Sequence, residues 1–276
     1  MSSSIIRHVR PAADSGTRID ITPERVGWRY LSFRVIALAP GERVETETGE
    51  TEIVVVPLAG SGSFTFDGTS HAIARRDVFT EKPQVLYLPP RTAYAIAATD
   101  SFEVAIGAAP ATGRFPARLY GPAELPSFAR GGANVARGVT ATFDPGFDSE
   151  RLIAYEILTP SGNWSSFPPH RHDGRLGTSY HEETYYYRLM PGDGFAIQRL
   201  YTRDTDLDVS IAAADGDLVL VHEGYHTVAA APGTNAWYLN FLAGDTKPVV
   251  QLNDPAYSWI VDEWTGRPIG IPLAGD

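Results

Sequence analysis

The sequence contains no cysteine among its 276 residues. This absence excludes disulfides, thiolate nucleophiles, iron–sulfur clusters and cysteine-ligated zinc, and it says nothing about the cellular compartment. Positive charge is also scarce: the formal net charge is −10, and Lys82 and Lys247 are the only lysines. A nucleic-acid partner is therefore not expected.

Long apolar runs are missing as well. No stretch approaches the roughly 18 apolar residues that a membrane-spanning helix needs, so no membrane partner is expected. Residues 1–16 lack the apolar core of a secretory signal, and we therefore expect a cytoplasmic protein.

Helical periodicity is hard to find, because 21 prolines and 26 glycines leave few windows long enough for a helix. Short β-branched and aromatic runs bounded by turn residues recur instead. They lie at 52–57, 62–67, 85–89, 102–107, 151–159, 183–189, 195–202, 210–213, 217–221 and 236–241. Residues 66–68 read as a hairpin turn. This pattern predicts an all-β protein.

The evenly spaced strands and a weak internal repeat favour two jelly-roll β-barrels in tandem over one continuous sandwich. We place the first barrel at residues 1–125 and the second at 126–276. Residues 110–146 are rich in Pro, Gly, Ala and Arg and read as the linker region. Two unrelated β-domains are the alternative.

Histidine placement is the strongest chemical signal. His170 and His172 are two residues apart, so in a strand both imidazoles lie on the same face. Two prolines precede them and stiffen the approach. Two histidines at this spacing, taken alone, could equally be solvated imidazoles on a surface strand.

A carboxylate and a third histidine favour the metal interpretation. One of the adjacent residues Glu182 and Glu183 must face the interior of a barrel, and His226 follows a strand and a turn. Alternation places Glu183 on the same face as Tyr185 and Tyr187. Three histidines and a carboxylate on strands predict one divalent metal ion.

These residues resemble the two conserved motifs of the cupin superfamily. More closely, residues 162–173 (GNWSSFPPHRHD) are similar to the GNWSS-Y-PPHKHD signature of the bacterial 5-deoxy-glucuronate isomerase family. Similar blocks at 22–28, 79–83, 182–186, 194–202, 224–226, 238–240, 243–244 and 253–255 extend the resemblance over nearly the whole chain. Tyr187 and His222 depart from that family's pattern.

The resemblance implies a bicupin whose second barrel carries the metal and whose first does not. Related hexosulose-uronate ketol-isomerases place their ligand glutamate before an x-Tyr-aromatic run, which selects Glu183 over Glu182. The implied ligands are His170, His172, Glu183 and His226. This set suits Zn²⁺, Mn²⁺ or Fe²⁺, and zinc is the ion we expect first.

The implied reaction is the aldose–ketose isomerisation of 5-deoxy-D-glucuronate to 5-dehydro-2-deoxy-D-gluconate in inositol catabolism, through a metal-held enediolate. The partner is then a small uronate, and a homo-oligomer is allowed. An Fe(II)-dependent cupin dioxygenase and a non-enzymatic sugar-binding cupin are the alternatives.

Four residues are candidates for the chemistry around the metal. Arg199 has the planar fork that suits a carboxylate, although a structural ion pair would explain it equally well. Tyr201 shares its strand face. Glu182 and Tyr185 are candidate acid–base groups, together with Tyr187 and His222.

Overall fold

The computed structural model describes residues 5–12, 14–144 and 146–264. Strands dominate this part of the chain, which confirms the predicted all-β class. No helix in these ranges is long and apolar enough to cross a membrane.

The elements of the first half alternate strands with tight turns, and the predicted hairpin turn joins β5 to β6. In chain order they are β1 (His8–Val9), β2 (Gly16–Ile21), α1 (Pro23–Val26), β3 (Ser32–Leu38), β4 (Arg43–Glu47), β5 (Thr51–Phe66), β6 (Thr69–Arg75), β7 (Val85–Leu88), β8 (Ala93–Pro110), β9 (Arg118–Tyr120) and a 3-10 turn at Pro122–Glu124.

The second half continues in the same manner and ends in a short helix. Its elements are β10 (Ser127–Arg130), a 3-10 turn at Ala133–Val135, β11 (Arg137–Phe143), β12 (Ile153–Thr159), β13 (Trp164–Arg171), β14 (His181–Met190), β15 (Ala196–Tyr201), β16 (Asp208–Ala213), β17 (Leu218–Val221), β18 (Tyr225–Ala230), β19 (Asn235–Gly244), β20 (Leu252–Asn253), a 3-10 turn at Pro255–Tyr257 and α2 (Trp259–Trp264).

The first barrel is built on the two longest strands, β5 and β8. They lie centrally in the order β2-β3-β8-β5-β7-β9, and β4 and β6 pair with their other ends. Their register shifts near Gly60, where an added Cβ would lie 1.6 Å from the carbonyl oxygen of Ser101. Any larger side chain would clash with the backbone at position 60, so glycine is required where the register between β5 and β8 shifts. The buried cluster inside this barrel is apolar, with residues such as Ile53, Phe64 and Phe102.

The second barrel consists of two sheets that face each other. One has the order β1-β17-β14-β19-β12-β11-β10 and the other β16-β15-β18-β13-β20. Strand β1 comes from the N-terminal half of the sequence but pairs with β17 of the second barrel. Tyr185, Tyr187 and Leu200 are among the side chains buried between the two sheets.

A third apolar cluster joins the barrels. The ring of Phe33 lies 5.8 Å from that of Tyr186 and 5.9 Å from that of Phe241. A buried Arg75–Glu156 pair crosses the same interface with two hydrogen bonds of 2.8 Å. The barrels therefore share a core as well as a covalent connection.

Two glutamates form reciprocal clamps between the barrels. Glu182, the second residue of β14, accepts hydrogen bonds from the backbone amides of residues 29–31 at 2.6–2.9 Å. Glu52, the second residue of β5, accepts hydrogen bonds from the amides of residues 150–152 at 2.7–2.9 Å. Each barrel thus uses one buried carboxylate to hold a loop of the other.

The predicted linker region needs a correction. Residues 110–146 contain β9, which pairs in the first sheet, and β10 and β11, which form an edge of the second barrel. Pairing therefore changes barrel between Tyr120 and Ser127. A division at residue 125 remains our proposal for the domain boundary.

Candidate metal centre

Strands β13 and β18 position the three histidines. His170 and His226 are direct partners across this antiparallel pair, and His172 lies two residues beyond His170 on the same face. The ring centroids of His170 and His226 are 4.4 Å apart, and those of His172 and His226 are 5.1 Å apart. Nitrogen atoms of all three histidines lie within 4.8 Å of one another. The triad therefore indicates a site for a divalent metal.

Glu183 reaches the triad from the opposite sheet. It lies on β14, and its Oε2 is 3.0 Å from Nε2 of His172 and 3.1 Å from Nε2 of His226. Strand alternation turns Glu183 inward and its neighbour Glu182 outward. The structure thus brings together all four side chains predicted as ligands, and their coordination of an ion remains a prediction.

The hydrogen bonds of the histidine rings leave the same nitrogen available in each. The Nδ1 atoms of His170, His172 and His226 lie 3.2–3.5 Å from the carbonyl oxygens of Pro168, His181 and Gly224. A carbonyl can only accept, so a proton on each Nδ1 satisfies these contacts and leaves each Nε2 free to act as a metal ligand.

This arrangement suits a cation between the rings and Glu183. In that tautomer two Nε2 lone pairs and a carboxylate oxygen lie about 3 Å apart, a spacing that a shared cation would hold together. Nε2 of His226 is also buried without a hydrogen bond of acceptable geometry. Three imidazoles and one carboxylate are a donor set that fits a borderline divalent ion.

The pKa shifts of His170 and Glu183 agree with this fit. Burial lowers the pKa of His172, but in the absence of an ion its contact with Glu183 raises it above the ordinary value. Burial lowers the pKa of His170 well below its ordinary value, and the neighbouring His226 and His172 lower it further, so the imidazole is neutral. Burial alone would raise the pKa of Glu183, but in the absence of an ion its close contacts with His172 and His226 bring the pKa well below the usual range, so the carboxylate is ionised. Neutral imidazole and ionised carboxylate are the forms that bind metals.

Three of the four side chains, those of His170, His172 and Glu183, line one cavity of about 660 Å³. Its walls come from β10 to β14, β19, the segment before β20 and helix α2. Ser166, Tyr185 and Tyr238 add hydroxyl groups, whereas Phe167, Leu242 and Ile260 are among its apolar residues. A volume of this order accommodates a small molecule.

Comparison with known proteins places the chain in a family. The family model described as KduI/IolB matches residues 6–260. The chain belongs to the KduI/IolB family. A 5-deoxy-glucuronate isomerase from Geobacillus kaustophilus (strain HTA426) is 38% identical to it over 254 residues, which cover 90% of this chain and 92% of that protein.

Solved structures agree at the level of the fold. The crystal structure of an IolB-like protein from Salmonella typhimurium LT2 has a TM-score of 0.89 at 32% identity, and covers 92% of this chain and 99% of that one. An oxalate decarboxylase from Bacillus subtilis, a protein with Mn(II) centres, has a TM-score of 0.61 at 13% identity over 92% of this chain and 80% of that one. The predicted bicupin fold and the predicted isomerase class are both confirmed.

The structure brings one of the four predicted catalytic residues to the cavity of this KduI/IolB family member. Tyr185 lines the cavity, and its hydroxyl lies 3.1 Å from Oγ of Ser166. Burial is the main cause that raises the pKa of Tyr185 well above its ordinary value, and the charge of Glu183 raises it further. The phenol therefore keeps its proton and can donate it in a hydrogen bond.

Glu182, predicted as an acid–base candidate, does not lie at the cavity. Its carboxylate lies on the outer side of the second barrel, where backbone amides and the hydroxyl of Tyr180 surround it. The alternative acid–base candidates also lie elsewhere: Tyr187 donates to Oε1 of Gln198, and His222 accepts from Nε1 of Trp28. None of these three side chains is part of the cavity wall.

Arg199 and Tyr201, which were predicted to contact the substrate, also lie away from the cavity. They share a strand face as predicted, and the Arg199 guanidinium lies 4.3 Å from the Tyr201 ring, but this is the outer face of β15. Arg199 forms a two-bond ion pair with Asp208, which is the structural alternative considered for it. The Tyr201 hydroxyl donates to Asp254 at 2.5 Å.

Two arginines in the cavity wall were missed from the sequence. Arg130 ends β10 and Arg137 begins β11, and they are direct partners across the hairpin. Both lie within residues 110–146, whose composition predicts a linker instead of strands.

Proposed function

We propose that the chain converts 5-deoxy-D-glucuronate to 5-dehydro-2-deoxy-D-gluconate in inositol degradation, as an aldose–ketose isomerase. The observation that carries the proposal is the convergence of three imidazoles and one carboxylate beside a cavity of small-molecule size, which His170, His172 and Glu183 line. The substrate is taken from the curated relatives, which carry the name 5-deoxy-glucuronate isomerase at 31–38% identity.

The reaction needs no oxidant and no second substrate. The bond between C2 of the aldose and its hydrogen breaks, and a new bond to hydrogen forms at C1. The proton of the C2 hydroxyl leaves as O1 gains one, so C1 becomes an alcohol and C2 a ketone. A site for this reaction must hold two neighbouring oxygens and move protons near them.

His170, His172, Glu183 and His226 are the residues that would hold the ion. A bound divalent cation would supply Lewis-acid stabilisation of negative charge on the two neighbouring oxygens. Zinc is our first choice for its identity. Manganese is the alternative that the Mn(II) centres of the structurally similar oxalate decarboxylase support.

Residues of the cavity wall would orient the sugar. Hydroxyl groups of Ser166 and Tyr185, 3.1 Å apart, can each donate to or accept from a substrate hydroxyl. We propose Tyr185 as the group that orients or moves a proton there. Apolar neighbours such as Phe167 and Leu242 limit the access of water.

Anaerobic turnover tests this function directly. The purified, metal-loaded chain is incubated with 5-deoxy-D-glucuronate in D₂O, and proton NMR follows the aldehyde signal. We expect loss of the aldehyde, appearance of the ketose and deuterium at the new CH₂OH group. A requirement for O₂ would favour an Fe(II) dioxygenase instead. Metal retention without any isomerisation would favour a non-enzymatic sugar-binding cupin.

A further inference from the structure

Arg137 stands out among the cavity residues because a full positive charge is buried there. Its side chain is 7% exposed and lines the same cavity as His170, His172 and Glu183. Burial is the main cause that lowers the pKa of Arg137 to about 10, so the guanidinium remains charged at neutral pH. A buried charge is expensive unless a partner of opposite sign meets it.

The fold supplies such partners to its other buried arginines. Arg75 makes two hydrogen bonds with Glu156, and Arg171 makes two with Asp173. Arg137 has no carboxylate within ion-pair distance in the described part of the chain. Its hydrogen bonds there both come from Nη1, to the carbonyl oxygens of Val135 and Phe167 at 2.9 and 3.5 Å.

The residue paired with Arg137 across the hairpin adds positive charge instead of neutralising it. Arg130 is its direct partner across the β10–β11 hairpin, and like charges at such positions repel. Asp144 also lines the cavity but forms no ion pair with Arg137, and its Oδ1 accepts from the amide of Gly146. An anionic ligand would relieve this imbalance.

The backbone keeps the guanidinium close to the metal centre. Phe167, whose carbonyl oxygen accepts from Arg137, is followed by Pro168, whose carbonyl oxygen faces Nδ1 of His170. Gly131 leaves room on the other side, since an added Cβ would lie 2.8 Å from Nη1 of Arg137. A short segment of β13 therefore links the cation to the ligands.

We propose that Arg137 binds the carboxylate of the sugar acid, with Arg130 as a second cation in the same cavity wall. This inference rests on the proposed function, in which one end of the substrate reacts and the other is a carboxylate. A planar guanidinium matches a carboxylate with two parallel hydrogen bonds. Arg137 thus takes the role that the sequence had suggested for Arg199.

The test compares Arg137→Gln and Arg137→Lys with Arg199→Gln, a matched control on the outer face. Binding of D-gluconate and of neutral D-glucitol to the metal-loaded proteins is measured by calorimetry. Neither sugar is an aldose, so binding is read without turnover. We expect the unaltered chain and Arg199→Gln to prefer gluconate, and Arg137→Gln to lose that preference by roughly 10- to 100-fold.

The lysine variant keeps the charge but not the fork, so an intermediate preference is expected. It also provides a reading if Arg137→Gln does not fold. Metal content and thermal unfolding serve as folding controls. A full preference for gluconate in a folded Arg137 variant, or no preference in the unaltered chain, overturns the proposal. An Arg137-dependent preference without isomerisation of 5-deoxy-glucuronate would support the anion site and reject the proposed reaction.

Discussion

Two adjacent glutamates do different work in this protein. Glu183 faces the barrel interior and lies against two histidines, whereas Glu182 faces the other barrel and binds three backbone amides. The period of two along β14 produces this division, since consecutive side chains point to opposite faces. One strand thereby contributes to the metal centre and to the contact between barrels.

The first prediction concerns Glu183→Gln. The amide keeps the shape of the side chain but removes the negative charge that faces the Nε2 atoms. We expect at least about 100-fold weaker metal binding, since even changes around the ligands cost 10–100-fold. Metal content after dialysis against a chelator measures this. Glu50→Gln, an exposed residue paired with Arg91, is the control, and equal metal retention in both variants would reject Glu183 as a ligand.

At the scale of single elements, the β10–β11 hairpin shapes the substrate end of the cavity. Gly131 follows β10 with φ +80, a left-handed conformation that favours glycine. An added Cβ would lie 2.3 Å from the carbonyl oxygen of Val135, which accepts from Arg137. The hairpin therefore leaves no space for a side chain at this position.

Gly131→Ala tests this hairpin. We expect a loss of more than about 1 kcal/mol in the free energy of unfolding, from backbone strain and steric overlap. We also expect KM to rise more than kcat falls, because Arg137 is displaced. Gly113→Ala is the matched control: its φ is +93, but the nearest atom is 4.0 Å away. A KM effect of the same size in both variants would contradict the account of Arg137.

The alternation of side chains along a strand sets how much of the site can be predicted from the sequence. It was sufficient to place His170 and His172 on one face, because a shared face follows from the spacing alone. It also grouped Arg199 with Tyr201, but it cannot say which face of β15 points inward. Arg137 was missed for another reason, since Gly and Arg near a Pro-rich segment disguise strands that tertiary pairing stabilises.

At the scale of the whole molecule, reciprocal clamps and a shared apolar core join the two barrels. Glu52 and Glu182 each bind three amides of the opposite barrel. Such charge-assisted hydrogen bonds on a buried carboxylate are stronger than neutral ones. The second barrel therefore depends on the first for part of its stability.

Glu52→Gln and Glu182→Gln should each lower the free energy of unfolding by about 1–3 kcal/mol, because an amide replaces the carboxylate acceptor of several donors. Urea unfolding measures the loss. Glu45→Gln removes an exposed ion pair with Arg43 and should change the free energy of unfolding by less than about 0.5 kcal/mol. The folded Glu182→Gln protein should retain its metal, and metal loss equal to that of Glu183→Gln would contradict the separation of roles.

Metal reconstitution tests the link between the centre and the reaction most directly. Metal-stripped protein is titrated with Zn²⁺ or Mn²⁺, and bound metal and isomerisation of 5-deoxy-D-glucuronate are measured in the same samples. The rate should rise in proportion to the bound ion and reach its maximum at one ion per chain. Full activity in the metal-free protein would contradict a catalytic metal held by His170, His172, Glu183 and His226.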